Sequence, residues 1–450
     1  MVNKKNLSFY PHKIIGEGGK KYLYNGITSS LYQMDDISDK ILKNNTLGIE
    51  NESKYKEALE FMVQNFIVKT KENETALEEL YNKVADSRLV VNPTQVILMI
   101  SQDCNLRCTY CYGGDGEYNN KGFMNYKVAK RAVDYLIKHS NSDKLGICFF
   151  GGEPLMNYAL IKKIVAYAKE IECKTDKKFA FSMTTNGTLI NKEIEEFIIS
   201  NKIATTISID GDEGVQNSNR YYANKKGCYD EVVKNTHNLR KTNLLSARAT
   251  ISPNNLNLLS SIEHLISLGF RKVAWAPAIN MMTSRDVEKM IDSQKNVISK
   301  VEELINSGNI EEAKKYGPIM SLLKKVNADG IRIRACGTGI NMIAVGIDGD
   351  IYPCQRFVGV KQIKLGNVFE DLPCSNSEFY SRIDIRKISK CSDCLSKNIC
   401  LGGCPQEAYE SDNNINIPSK ALCDYNNETL IQILKVYINL DGEMKERLFG

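Results

Sequence analysis

Cys104, Cys108 and Cys111 stand as C-x3-C-x2-C in the segment SQDCNLRCTYCYGG, directly after the apolar run Gln95 to Ile100. Three thiolates are thereby presented on a loop leaving a strand. Three ligands are one too few for a four-iron cluster, and the spare iron can bind and reduce a small molecule, whereas a fully ligated cluster mainly passes electrons. The plainer alternatives are a structural zinc site or unrelated buried thiols, since cysteine pairs alone often mean zinc. Cysteine also concentrates in the last 120 residues. Cys336 is followed by twelve residues, Gly349, four residues and Cys354, then by Cys391-x2-Cys394-x5-Cys400-x3-Cys404 and finally Cys423. A zinc ribbon accounts for only four of these seven ligands.

Polar groups with chemistry in reach recur at the ends of apolar runs. Gly151-Gly152-Glu153-Pro154 follows the second such run; its glycines let a ligand approach the backbone, and its carboxylate can accept from an ammonium group. Thr184-Thr185-Asn186-Gly187 ends the third run, Ser208-Ile209-Asp210-Gly211 the fourth, and Arg220 comes shortly after. Each alone could be turn chemistry. Together they place hydroxyl, carboxylate and guanidinium groups on successive strand ends, where a ribose and a carboxylate need partners.

The elements that must position these groups are strands near 95–101, 146–150, 179–185, 205–210, 247–251 and 272–278. Helices near 126–138, 157–171, 191–200, 229–241, 254–268 and 284–306 fall between or after them. Repeated βα units predict an α/β domain whose parallel sheet, curled or wound, carries its chemistry at the carboxyl ends of the strands.

The chain of 450 residues has room for two to four domains at roughly 100 to 200 residues each. Its net charge of +5 comes from acids and bases mixed along the sequence, so no dedicated nucleic-acid surface is expected. No apolar h-region and no stretch of about 18 uninterrupted apolar residues is seen, which reads as a cytoplasmic protein without a membrane partner. Fourteen cysteines without an export signal argue for metal rather than disulfides. The four histidines are scattered, and Cys148, Cys173 and Cys228 read as incidental thiols. The first ninety residues contain no cysteine and form a segment of their own. There β-like runs at 12–15, 20–24 and 27–34 are divided by Gly16-Glu17-Gly18-Gly19 and by Asn25-Gly26, a strong hairpin signal. Helical spacing of Tyr55, Ala58, Leu59, Met62 and Phe66 follows, then a short helix over 75–84.

The three-cysteine loop with Tyr110 before its last cysteine resembles the radical S-adenosylmethionine (SAM) signature, and Gly151-Gly152-Glu153 resembles that family's motif for the methionine amino group. The resemblance implies a partial (β/α)6 barrel over residues 91–325. It also implies SAM contacts from Tyr110, Gly151, Gly152 and Glu153, ribose contacts from Ser208 and Asp210, and Arg220 near the methionine carboxylate. Relatives often place His-Asp or His-Asn before that arginine, whereas Gln216 to Asn219 precede it here. The later cysteines match the seven-cysteine SPASM pattern and imply a domain over 326–450 with two further [4Fe-4S] clusters. Cys391, Cys394, Cys400 and Cys423 would hold the second of these, and Cys336, Cys354 and Cys404 the first. Residues 1–90 resemble the winged-helix-like leader-peptide recognition element, which would catch an extended leader by adding it to a sheet edge.

Across its length the chain resembles a radical SAM/SPASM peptide maturase, most like the thioether-forming maturases of six-cysteine peptides, the sactipeptide and ranthipeptide type. That implies three [4Fe-4S] clusters, SAM, a cysteine-containing precursor peptide, a ferredoxin or flavodoxin donor and an anoxic setting. Sulfatase-maturing relatives have a further cysteine where Met342 stands and a basic aspartate where Gln355 stands. Glutamine cannot take a proton at neutral pH, and a thioether replaces a thiolate poorly, so the first auxiliary cluster would keep an open iron unless Cys374 closes it. The alternatives are a sulfatase maturase making formylglycine, a carbon–carbon cross-linking or epimerising enzyme, and a peptide-binding scaffold without catalysis.

Overall fold

The computed structural model describes residues 7–44, 52–370, 372–376, 379–380 and 383–450. The chain forms two compact units, one of Met1–Val90, Ile319–Ala335 and Ser381–Gly450, the other of Val91–Pro318 and Cys336–Tyr380. One cut falls between Val90 and Val91, while Ile319–Ala335 and Ser381–Gly450 are grouped with residues 1–90. The cysteine-rich end is shared out: Cys336 to Cys374 fall in the second unit, and Cys391 to Cys423 in the first.

In the first unit β1 (His12–Glu17), β2 (Lys20–Asn25) and β3 (Leu31–Gln33) make an antiparallel sheet in that order. Glu17 faces Lys20 across Gly18 and Gly19, whose φ of +56° and +73° suit a two-residue type I′ turn. Asn25-Gly26 does not make the tight hairpin that its sequence signals. The chain takes five residues to reach β3, and Asn25 is a strut instead: its Oδ1 accepts from Ile27 N at 2.8 Å and its Nδ2 donates to Asn65 O at 2.7 Å and Phe66 O at 3.0 Å. Helices α1 (Asp36–Leu42), α2 (Glu52–Gln64) and α3 (Lys71–Arg88) follow. α3 starts before residue 75 because Thr70 and Asn73 form a capping box that satisfies its first free N–H groups.

One apolar cluster, including Leu23, Ile41, Tyr55, Met62 and Val68, is local to the N-terminal segment. A second joins distant parts of the chain: Tyr10, Ile27, Leu77 and Tyr81 pack with Ile333, Ile385, Ile388, Leu401 and Cys391. Asn398 Nδ2 donates to Ser29 Oγ at 2.8 Å, and Arg334 Nε to Arg88 O at 2.9 Å. The N-terminal segment therefore shares a core with the C-terminal cysteines.

The second unit is built on six parallel strands that neighbour one another in chain order, β4 (Gln95–Gln102), β7 (Lys144–Gly151), β8 (Lys178–Thr185), β9 (Ala204–Ser208), β11 (Leu245–Ile251) and β12 (Val273–Pro277). Helices α4 (Tyr126–His139), α5 (Tyr158–Lys174), α6 (Lys192–Ser200), α9 (Leu258–Ser267) and α10 (Ser284–Asn306) stand where helical periodicity is read in the sequence. This mostly parallel α/β sheet continues past β4 through β13 (Met342–Val345), parallel to it, and then β14 (Asp350–Tyr352) and β15 (Gly366–Asn367), both antiparallel. Strands β5 (Leu106–Cys108) and β10 (Arg220–Tyr222) make a separate antiparallel pair, and β6 (Gly122–Phe123) pairs with β4.

Two local expectations change. Residues 213–219 form α7 (Glu213–Asn219), started by Asp212 Oδ1 accepting from Val215 N at 2.9 Å. The helix expected over 229–241 stops as α8 (Tyr229–Asn235), where Arg240 turns aside to donate from Nε to Leu268 O at 2.7 Å. No helix among the described residues is long and apolar enough to cross a membrane.

The shared core gives a prediction. Ile27→Ala removes a nearly fully buried side chain from the cluster containing Cys391. It is expected to cost about 2–5 kcal/mol in denaturant unfolding, and to lower the iron retained by reconstituted protein although no cysteine has changed.

Candidate functional site

The three-cysteine loop leaves β4 at the carboxyl end of the parallel strands. Cys104 N donates to Asp103 Oδ1 at 2.9 Å, and Leu106 N points at Cys104 Sγ at 3.4 Å. Cys108 lies in β5 directly opposite Arg220 of β10, and Cys111 N closes a turn onto Cys108 O at 3.2 Å. The three sulfurs are within electrostatic reach of one another. Burial, together with the Glu153 carboxylate, pushes the Cys104 thiol up to about 12, and burial raises Cys108 to about 11 although Arg220 works the other way. Bare, these groups are thiols at neutral pH. They become ligands only when a cation compensates the thiolate charge.

The strand-end motifs meet this loop closely. A Cβ on Gly151, whose φ is +141°, would lie 2.0 Å from Ser101 O, and one on Gly152 would lie 2.2 Å from Asp103 O. What these glycines admit is the chain's own cysteine loop. Glu153 is fully buried, and its oxygens are taken: Oε1 accepts from Leu155 N at 3.0 Å and Thr185 Oγ1 at 2.7 Å, and Oε2 from Asn186 N at 2.8 Å. Burial lifts its pKa to about 7 against those three donors. The Glu153 side chain thus ties β7 to the end of β8. Acceptors toward a ligand's ammonium group would come from the main chain of the motif.

Asp210 and Arg220 form a buried ion pair, Nε to Oδ2 at 3.1 Å and Nη2 to Oδ1 at 3.2 Å. The Asp210 carboxylate also accepts from the Tyr110 hydroxyl and from Thr250 N at 2.9 Å. The guanidinium sits 5.2 Å from the centre of the Tyr110 ring and directs Nη1 at Cys108 Sγ, 3.8 Å away. Burial disfavours the Arg220 charge, but Asp210 together with Tyr110 and Cys108 outweighs it and holds the guanidinium pKa well above its ordinary value. Ser208, half-buried at the end of β9, keeps its hydroxyl without a protein partner among the described residues. Of the two residues expected at a ribose, Ser208 therefore has a spare group and Asp210 does not.

Sequence reasoning gave Asn186 and Tyr118 no role. Asn186 Nδ2 donates to Asn105 Oδ1 at 2.9 Å and points at Cys104 Sγ at 3.9 Å. Its place in Thr184-Thr185-Asn186-Gly187 at a strand end was the available signal. Tyr118 donates to Gly151 O at 3.3 Å and bonds the Tyr112 hydroxyl; nothing in its spacing announces this. The N–H groups of Leu106, Asn186 and Arg220 directed at sulfur suit thiolates bound to an iron–sulfur cluster, whose potential such donors tune. The residues present fit that group.

A second set lies in the other unit. Cys391, Cys394, Cys400 and Cys423 line one cavity, with Lys390, Lys397, Asn426 and Asn427 at its wall. Leu401, Gly402 and Gly403 all have positive φ, reversing the chain after Cys400. Cys423 sits in the first turn of the helix Lys420–Asn439, where N–H dipoles favour a thiolate. Asn426 Nδ2 points at Cys400 Sγ at 3.2 Å. Burial and the neighbouring thiols raise Cys391 to about 11 and Cys400 to about 12. Among the described residues no three His, Cys, Asp or Glu side chains converge as around a single ion. Cys391, Cys394, Cys400 and Cys423 share the cavity's wall rather than a single point.

The remaining cysteines are placed one by one. Cys336 is exposed, and Cys354 precedes the turn Gln355–Phe357, both in the second unit. Cys404, in the first, opens the helix Pro405–Asp412. Cys374 is buried, its sulfur 3.4 Å from the Tyr135 hydroxyl. Cys228 accepts from Gln216 Nε2 at 3.5 Å and donates to Arg220 O at 3.4 Å, so it braces the ion pair's strand. Met342 is the first residue of β13. Cys148 is half-buried and Cys173 exposed.

Residues 98–255 match the radical SAM superfamily. An uncharacterized protein of Methanocaldococcus jannaschii is 37% identical over 182 residues, which are 40% of this chain and 61% of that protein. The chain thus matches less than two thirds of that relative. A cysteine-type anaerobic sulfatase-maturating enzyme of Clostridium novyi is 24% identical over 69% of this chain and 87% of its own length. The radical SAM cyclopropyl synthase TigE of Paramaledivibacter caminithermalis is 22% identical over 94% and 95%. Among solved structures, native anSMEcpe with bound AdoMet and Cp18Cys peptide superposes with a TM-score of 0.65 at 20% identity, covering 77% of this chain and 98% of that one.

Asp210→Ala tests the ion pair. It leaves the Arg220 charge buried without its partner, so denaturant unfolding is expected to show a loss of about 3–5 kcal/mol. Asp210→Asn, which keeps one acceptor oxygen, is expected to lose less.

Proposed function

We propose that this chain, a radical SAM protein with homology to peptide-modifying maturases, installs thioether cross-links from a cysteine sulfur to a carbon of a ribosomally made precursor peptide. The observation that carries the reading is the cysteine count. Cys104, Cys108 and Cys111 are three and would leave an iron for SAM; Cys391, Cys394, Cys400 and Cys423 are four and would close a second cluster; and Cys336, Cys354 and Cys404 are three again. An open auxiliary iron is where a substrate thiolate can be held, because metal binding favours thiolate over thiol.

When bound by the first three cysteines, a reduced [4Fe-4S] cluster with SAM supplies a 5′-deoxyadenosyl radical able to take hydrogen from an unactivated carbon. The chain's own part is positioning. Main-chain carbonyls of Gly151 to Glu153 meet the methionine ammonium, the Ser208 hydroxyl meets the ribose, and Arg220, fixed by Asp210 and Tyr110, presents its remaining N–H groups to the methionine carboxylate. Each cross-link removes two hydrogens from the peptide: the C–H hydrogen atom would leave in 5′-deoxyadenosine, and the S–H hydrogen as a proton while one electron would pass to the iron–sulfur centre. The N-terminal sheet offers the edges of β1 and β3 for an extended leader. Ferredoxin or flavodoxin is the expected electron donor in an anoxic cytoplasm.

Formylglycine formation is the second reading, favoured by the Clostridium novyi relative. Gln355 in place of a basic aspartate weighs against it.

The test uses protein reconstituted with iron and sulfide under anaerobic conditions, given a strong reductant, SAM and any short cysteine-rich peptide found encoded beside its gene. A product lighter by two hydrogens per cross-link is expected in mass spectrometry. Loss of sulfur would point to formylglycine, and an unchanged mass would remove the thioether reading. Cys104→Ala, Cys108→Ala or Cys111→Ala is expected to abolish 5′-deoxyadenosine release. Cys336→Ala or Cys404→Ala is expected to leave some uncoupled release and no cross-link; cross-linking at the normal rate would exclude the open auxiliary iron.

A further inference from the structure

Gln355 follows Cys354 in a short turn of the second unit, and its side-chain oxygen is buried without a hydrogen-bond partner among the described residues. Leaving a buried acceptor unpaired costs about 1–3 kcal/mol, so folds rarely keep one without a use. The Thr338 hydroxyl, two residues after Cys336, is also buried and unpartnered, and Gly339 N donates to Pro353 O at 3.0 Å, joining the two segments. A cluster on these cysteines would satisfy the threonine, which can donate to sulfur. It would not satisfy Gln355 by hydrogen bonding, because sulfides and thiolates donate nothing.

The surroundings show which way this turn faces. Arg356 lies over the Tyr112 ring at 5.0 Å, and Gly359 comes so close to Tyr118 that a Cβ there would be 2.4 Å from its carbonyl oxygen. Tyr112 feels both Cys111 and Cys354, and its hydroxyl bonds Tyr118, which in turn donates to Gly151 O. One connected run therefore leads from the Gly151 to Glu153 loop to the turn holding Gln355.

We propose that the Gln355 side-chain oxygen accepts a main-chain N–H of the substrate peptide and fixes its register between that loop and Cys354. This rests on the peptide reading above. An amide oxygen suits the task because an extended peptide offers N–H groups whatever its side chains, and glutamine holds its form across the pH range. Gln355 is thus a positioning residue.

The test compares Gln355→Leu and Gln355→Glu in the full-length, reconstituted enzyme. With the neighbour-encoded peptide, Gln355→Leu is expected to raise KM about 3- to 10-fold, the worth of one hydrogen bond, with a smaller change in kcat. Gln355→Glu, which keeps an acceptor, is expected to recover most of that loss. Without peptide, Gln355→Leu is expected to melt at or above the wild-type temperature, since it removes an unpaired acceptor. A lower melting temperature would mean the oxygen is already satisfied within the fold and would overturn the proposal. So would an unchanged KM, or an altered electron paramagnetic resonance signal of the auxiliary clusters, which would make Gln355 an iron ligand. Should the wild type cross-link no peptide, the thioether reading fails by itself, and the melting and resonance results still decide whether this oxygen awaits a donor.

Discussion

One buried ion pair aims a guanidinium at the cysteine loop of the second unit. Arg220 and Asp210 flank α7, and their pairing adds a side-chain tie where the β10–β5 ladder already places Arg220 opposite Cys108. Taking both charges from water costs several kcal/mol per ion, repaid only with good geometry and further hydrogen bonds. Here the carboxylate accepts from Tyr110 and Thr250 besides the arginine. Such a network does little for stability compared with apolar packing. Its value is in direction, because the guanidinium cannot hold Asp210 and face Cys108 unless the cysteine loop is in place.

Burial of the thiols adds a second constraint. With Cys104 and Cys400 raised to about 12, and Cys108 and Cys391 to about 11, both sites resist ionisation while bare. Metal binding must then release protons, and its affinity falls as pH drops. The low-dielectric setting that penalises bare thiolates also strengthens each N–H directed at sulfur once charge is present. Leu106, Asn186, Arg220 and Asn426 occupy such positions, so the loops are organised for charge they do not yet carry.

Much of this was legible in the chain. Apolar runs of period and length suited to buried parallel strands gave all six, and the cysteine intervals marked the loops on which the thiols gather. What stayed hidden was the use of polar groups whose type is clear but whose partner is distant. Glu153 reads as a ligand for ammonium, yet three donors from its own loop and from β8 consume it. Asn25-Gly26 reads as a hairpin, yet the amide does more by bracing residues 65 and 66 than by turning. The helix over 213–219 is polar along its length, so no apolar period revealed it; only Asp212 as a cap could have. For Glu153 and Asn25 a long-range hydrogen bond outweighed a local preference, whereas 213–219 rests on a local cap too short to stand out.

The division of the chain follows from the same principle. Residues 1–90 lack cysteine and look separable by composition, but separability is decided by buried area, and Tyr10, Ile27, Leu77 and Tyr81 bury theirs against segments more than 240 residues away. Cys391 belongs to that cluster, so one cysteine of the four-cysteine cavity is set by packing that includes the N-terminal segment. Interiors are close-packed and transmit displacement. The N-terminal segment also reaches the cavity's neighbourhood through Lys69 to Asp393 at 3.7 Å and Ser29 to Asn398 at 2.8 Å, so several of its cysteines stand on shared packing within a single unit.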